Sequence, residues 1–314
     1  MKTYRHIIVG IDFSPASRSA LRTAARIASF NGTPVTVVHA IDPKIAGSIK
    51  VAHGWTDDQV FDNIGERTKA FLAENGVTGV AVGTELDVGP PLVCLVSACQ
   101  RHQADLLVLG TRGTEHGPND IGAVAAKCVR KAPADVLLVR EGMNTPFKHI
   151  TACVDLSETS AKAASAARHI AEHDKSALDC LFVYQSALAL SLDYGGFVPP
   201  LPAMDGEAAG AWKKDVDNFL APLFRTAADL KWNTVVVERM NIREAILEHI
   251  KEAKSDLVVL GTRGKSDLRT LFVGTTAERV VSHAPCSILA VKPEGFECPV
   301  AEKEWLPPAT VPVA

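Results

Sequence analysis

At residues 261–276 the sequence reads GTRGKSDLRTLFVGTT. Two residues separate Gly261 from Gly264, and nine more precede Gly274, which is followed by Thr275 and Thr276. Glycine lets a backbone approach a ligand closely. A helix N-terminus presents free N–H groups and the positive end of its dipole. The threonine hydroxyls add donors, and Arg263, Lys265 and Arg269 add positive charge. Those residue types in that order suit a polyphosphate. A plain strand-to-helix turn also uses glycines, and a single glycine pair would be read that way; the whole pattern favours phosphate. GTRGKS is not a P-loop, which needs four residues between its first glycine and Gly-Lys-[Ser/Thr].

A second version, GTRGTEHGPNDIGAV, starts at Gly110. It keeps Gly110 and Gly113, but eight residues rather than nine precede Gly122, and Ala123 and Val124 stand where the other copy has Thr275 and Thr276. Between the glycines, TEHGPNDI carries Glu115 and Asp120, a formal charge of −2; KSDLRTLFV carries Lys265, Arg269 and Asp267, a charge of +1. A polyphosphate would meet repulsion in one copy and attraction in the other. The first copy is therefore expected to bind such a ligand weakly or not at all.

The elements that position these loops are themselves duplicated. HIIVGIDFS at 6–14 answers HITACVDLS at 149–157, DLLVLGTRG at 105–113 answers DLVVLGTRG at 256–264, and APADVLLVR at 132–140 answers APCSILAVK at 284–292. The chain reads as a tandem repeat of roughly 145 residues. The boundaries are placed at 1–143 for the first domain, with the degenerate motif, and 147–294 for the second, with the intact one; 295–314 reads as an extended tail. Near-continuous Val/Leu/Ile runs alternate with helical patterns, which means parallel strands buried on both faces, so each half is expected to be a doubly wound α/β domain. In the first half the strands are expected at IIVGI, VTVVHA, GVAVG, DLLVLG and DVLLV, with a loop and then a helix over roughly 57–75 after the second. Ligands in such folds sit beyond the carboxyl ends of the strands. Asp12, Asp155 and both GTRG turns fall there.

The composition, 47% hydrophobic and 22% charged over 314 residues, supplies a core for two domains. A net charge of −3 does not mark a nucleic-acid binder. No stretch approaches the length of a membrane span. The start MKTYRHIIVGID lacks a signal peptide's apolar core, and the seven cysteines form no CxxC pair, so a cytoplasmic, reducing setting is expected.

The spacing G-x2-G-x9-G-[Ser/Thr] at Gly261, Gly264, Gly274 and Thr275, with Asp155 closing the first strand of that half, resembles the universal stress protein family. The resemblance covers nearly the whole chain, twice over. It implies an adenine-nucleotide alpha hydrolase-like fold with strand order 3-2-1-4-5, and ATP or AMP as ligand, with or without Mg. Carried over, Asp155 contacts the nucleoside and Val183 offers backbone to adenine. Gly261, Thr262, Arg263 and Gly264, with Gly274, Thr275 and Thr276, hold ribose and phosphates. The resemblance also implies an intramolecular pseudo-dimer of the two domains through their last strands, or a homodimer. The function so implied is a nucleotide-responsive regulatory module in stress response. Slow ATP hydrolysis is an alternative, though no catalytic base can be assigned. A scaffold for an apolar ligand or protein partner is a third reading.

His169 and His173 lie four apart on an expected helix, a spacing compatible with a metal. No third ligand is evident, so no metal site is assigned and both are read as solvated. Cys94 and Cys99 read as buried small hydrophobes. The apolar stretch 186–208 is long for a loop; it folds over the nucleotide, lines a second pocket, or is simply a variable surface segment.

Overall fold

The computed structural model describes residues 4–75, 79–113, 121–185, 207–227, 229–264 and 274–300. The described residues divide into two compact units, one within 4–145 with 295–300, the other within 146–294.

In the first unit the elements run β1 (Ile7–Ile11), α1 (Pro15–Ser29), β2 (Val35–Ile41), α2 (Pro43–His53), α3 (Asp57–Glu74), β3 (Val82–Val88), α4 (Pro91–Arg101), β4 (Leu106–Gly110), α5 (Ala123–Lys131) and β5 (Asp135–Val139). The strands lie in the order β3-β2-β1-β4-β5, all parallel. The second unit repeats the plan with β6 (His149–Val154), α6 (Glu158–Asp174), β7 (Ala177–Tyr184), α7 (Glu207–Phe224), β8 (Trp232–Glu238), α8 (Ile242–Glu252), β9 (Leu257–Gly261), α9 (Thr275–His283) and β10 (Ser287–Val291). Its order is β8-β7-β6-β9-β10, again parallel. Each sheet therefore has the expected 3-2-1-4-5 arrangement. The chain leaves the first strand of each sheet to one side and later returns to the other. That reversal opens a crevice between β1 and β4, and between β6 and β9, at their carboxyl ends.

Buried apolar side chains on the central strands explain the continuous apolar runs: Ile7, Ile8, Leu106 and Leu107 in the first unit and Ile150, Leu257 and Val258 in the second have no exposed surface. Two first-unit readings are corrected. The third strand spans Val82–Val88, not GVAVG at 79–83. It is an edge strand paired only with β2, from Val35↔Val82 to Ile41↔Val88. It alternates polar and apolar residues, with Glu85 and Asp87 tied to Arg101 of α4 and Leu86 buried. The segment 43–53, expected as loop, is the helix α2, started by the Asp42 side chain on the Lys44 N–H and by Pro43. None of its residues is buried, and Ile45 and Val51 stand exposed, so its apolar residues serve no core.

Candidate functional site at the carboxyl end of the second sheet

The turn from β6 into α6 fixes the carboxylate of Asp155. Leu156 adopts φ +62°, in the left-handed region that a bulky residue avoids. The Asp155 carboxylate holds that turn by accepting from the Ser157 N–H at 3.0 Å and from the Ser157 hydroxyl. Ser157 in turn caps α6 in a reciprocal pair with Ser160. The first unit builds the same device from Asp12, Phe13 (φ +62°) and Ser14, with Ser14 N–H to Asp12 at 3.0 Å.

The glycine turn closes over that carboxylate. A side chain on Gly264 would place its Cβ 2.5 Å from Asp155 Oδ2, and one on Gly261 would meet Thr159 of α6 at 2.8 Å. Only glycine permits both approaches. Thr262 is the strut: its N–H and hydroxyl both donate to the Val291 carbonyl, and its own carbonyl accepts from Gly274 N–H at 2.9 Å. The buried Thr262 hydroxyl is thus spent on the fold. Gly274 opens α9 with no side-chain cap, leaving the first-turn amides of Thr275, Thr276 and Ala277 to an incoming acceptor.

Asp155, Val183, Gly261, Thr262, Arg263, Gly264, Gly274, Thr275 and Thr276 all line one cavity of about 260 Å³. Leu181, Ile242, Ile246 and Leu260 supply apolar wall. Asp155 is the one carboxylate among the described lining residues. Cys153 also lines it, but burial above all pushes its thiol up to about 12, so it is no nucleophile at neutral pH. Lys265, Asp267 and Arg269 lie outside the described residues.

One basic residue escaped sequence reading. Arg243, in the first turn of α8, donates from its guanidinium to the Thr275 hydroxyl at 3.2 Å. It stands over 30 positions from the turn it touches, and only the proximity of α8 and α9 reveals it.

The first unit carries a cavity of about 290 Å³ in the equivalent place, lined by Asp12, Gly110, Arg112, Gly113, Gly122, Ala123 and Val124 among others. Its shorter loop closes on the same bonds: Thr111 N–H to the Val139 carbonyl at 2.9 Å, and Gly122 N–H to the Thr111 carbonyl at 2.8 Å.

The universal stress protein family model matches residues 3–140 and again 146–292. The chain belongs to the universal stress protein family. Universal stress protein E of Photorhabdus laumondii is 23% identical over 97% of this chain and 100% of its own length. A universal stress protein of Mycobacterium tuberculosis is 25% identical over 91% of this chain and 96% of its own. The crystal structure of a universal stress protein from Archaeoglobus fulgidus matches with a TM-score of 0.63 at 16% identity, covering 93% of this chain and 97% of that one, a likeness of fold.

Within this tandem universal stress protein, the two copies differ in side chains rather than in loop closure. Thr275 and Thr276 become Ala123 and Val124. Arg243 becomes Leu92, since α4 and α8 begin at equivalent positions and line their cavities through Pro91 and Leu95 or Ile242 and Ile246. Arg112 pairs with Glu141. Pro293 occupies the Glu141 position in the second copy, two residues past the end of the last strand.

The remaining expectations resolve as follows. Cys94 and Cys99 are buried, and burial above all raises both thiols, Cys94 to about 11. His169 is not solvated as expected: it is buried, and its ring packs edge to face on His173 at 4.8 Å. Of the stretch 186–208, all but Glu207 and Ala208 at the start of α7 lies outside the described residues. No described helix is long and apolar enough to cross a membrane.

Proposed function

We propose that the second domain holds an adenine nucleotide, ATP or AMP, and that its occupancy makes the chain a nucleotide-responsive regulatory module in stress response. One observation carries the reading. A single cavity has a fixed carboxylate, Asp155, at one side. The same cavity has an uncapped helix start, two threonines and Arg263, with Arg243 just outside the lining on the Thr275 hydroxyl. Phosphate oxygens suit the donor end, because N–H, O–H and guanidinium groups all donate to them. The adenosine suits the other side: Asp155 accepts from N–H or O–H donors, while Leu181, Ile246 and the Val183 backbone form a wall for a ring. Magnesium fits less well. The described donors at the phosphate end are not metal ligands of the carboxylate type that Mg²⁺ favours, so no step depends on it.

A slow ATPase is the second reading. Hydrolysis needs an oriented water as well as charge stabilisation. Among the described lining residues no histidine is present, and Asp155 is already engaged with Ser157. Binding is therefore preferred over turnover. Native mass spectrometry of freshly purified protein tests the reading. A mass increment of ATP or AMP is expected. Absence of any increment, together with no binding on adding ATP, overturns it. Phosphate release above background that vanishes in Thr275→Ala would favour the ATPase.

A further inference from the structure

We propose that the cavity of the first domain is a ligand site in its own right, taking an uncharged heterocyclic compound that carries N–H or O–H donors and rejecting phosphate-bearing ones. The site is built, not collapsed. It has about 290 Å³ of space between the carboxyl ends of β1, β2 and β4 and the start of α5. That is close to the lower end of small-molecule pockets, about 300 Å³. Its turn keeps the hydrogen bonds that close the second domain's turn, and Gly113 still approaches Asp12, where a Cβ would come within 2.8 Å of Oδ2.

What has changed is the electrostatics. At the end where a phosphate would lie, Ala123, Val124 and Leu92 replace two threonines and an arginine. The Arg112 guanidinium, which lines the cavity, is already engaged by the Glu141 carboxylate. An arriving phosphate would have to compete with Glu141 for that cation, close to the fixed charge of Asp12.

The rest of the lining suits a neutral, partly apolar body. Val38, Leu95 and Leu109 form the walls, and the carboxylate of Asp12, whose Oδ1 accepts from the Ser14 N–H, is part of the lining. His39 is held in place by a 2.9 Å bond from its Nδ1 to the Ile11 carbonyl and by Phe13 against its ring. Burial lowers its proton affinity and outweighs the Ile11 carbonyl and Asp12, which raise it, so His39 brings no positive charge at neutral pH. Among the described lining residues a charged phosphate thus meets one cation, Arg112, already paired with Glu141, while Arg67, outside the lining, lies over the Phe13 ring at 4.4 Å; a neutral donor finds a carboxylate.

This inference does not rest on a nucleotide in the second domain, and the two are separable. The test uses the full chain with Gly264→Ala, which obstructs the second site, and adenosine and AMP as probes differing only in the phosphate. Calorimetric titration should show adenosine binding, with AMP weaker by about tenfold or more. Asp12→Asn should weaken adenosine. Glu141→Gln should narrow the gap between the probes by releasing Arg112. If Gly264→Ala impairs folding, wild-type chain saturated with ATP takes its place, titrated with adenosine. The proposal is overturned if AMP binds the first site as tightly as adenosine, or if adenosine binds neither the variant nor the ATP-saturated chain.

Discussion

At the scale of single residues, the site depends on close approaches that only particular side chains allow. Gly261, Gly264 and Asp155 were legible in the sequence because glycine spacing and a strand-end aspartate are local signals. The structure adds the reason: one methyl group on Gly264 would collide with the carboxylate it covers. Thr262 was legible as part of the turn but not as a strut, since its partner Val291 is 29 residues away. Arg243 was not legible at all. It offers a direct test. Arg243→Leu, which copies the first domain's Leu92, should weaken ATP by about tenfold, the low end of a charge-assisted hydrogen bond at about 1.5–3 kcal/mol, because the side chain is exposed. Adenosine binding should change little. A calorimetric comparison of the two ligands checks this, and equal loss for both would show a merely structural role.

At the scale of elements, the buried parallel strands declared themselves by their apolar runs. The edge strand β3 and the helix α2, which buries no residue, did not, because neither presents a continuous apolar face to the core. The amino-terminal edge of the second sheet holds another element-level feature that pattern reading missed. Asp179 of β7 bonds through one oxygen to His149 Nε2 of β6 at 3.0 Å and His249 Nε2 of α8 at 3.1 Å. The bond from His249, seconded by that from His149, holds the carboxyl below its ordinary value despite burial. A depressed folded pKa stabilises the native state above the unfolded value of about 3.9 and loses that contribution as pH falls through the lower folded value. Chemical denaturation of Asp179→Asn should therefore show lower stability at neutral pH by about 1.5–3 kcal/mol. It should also show a shallower loss of stability between about pH 4 and 2 than wild type. An unchanged acid limb would remove Asp179 from this role. Thr36 occupies the position matching Asp179 in the first sheet and bonds His6 at 2.9 Å, while His6 stacks on His102, which bonds Glu85.

At the scale of the whole molecule, duplication was the clearest signal in the sequence, and the family match recurs at 3–140 and 146–292. What repetition could not convey is where the side chains of the two copies differ around the cavity. The one-residue difference between the glycine loops looks decisive on paper. In the structure both loops close on equivalent hydrogen bonds, Gly122 to Thr111 and Gly274 to Thr262. The divergence lies in the residues around the helix start. A ligand that binds only the folded form of one domain stabilises that domain by mass action. Saturating ATP should therefore slow amide exchange in β6, β9 and the start of α9 while leaving β1, β4 and α5 unchanged. Equal protection of both sets would show that the copies share the nucleotide.

The central claim, one nucleotide per chain in the second domain, is tested most directly by calorimetric titration of ATP into the full chain, its Gly264→Ala variant and its Gly113→Ala variant. Gly264→Ala sets a Cβ against Asp155, and Gly113→Ala sets one against Asp12. The account predicts one equivalent of ATP for wild type, kept in Gly113→Ala and lost in Gly264→Ala. Two equivalents in wild type, or loss of ATP in Gly113→Ala with binding retained in Gly264→Ala, would contradict it.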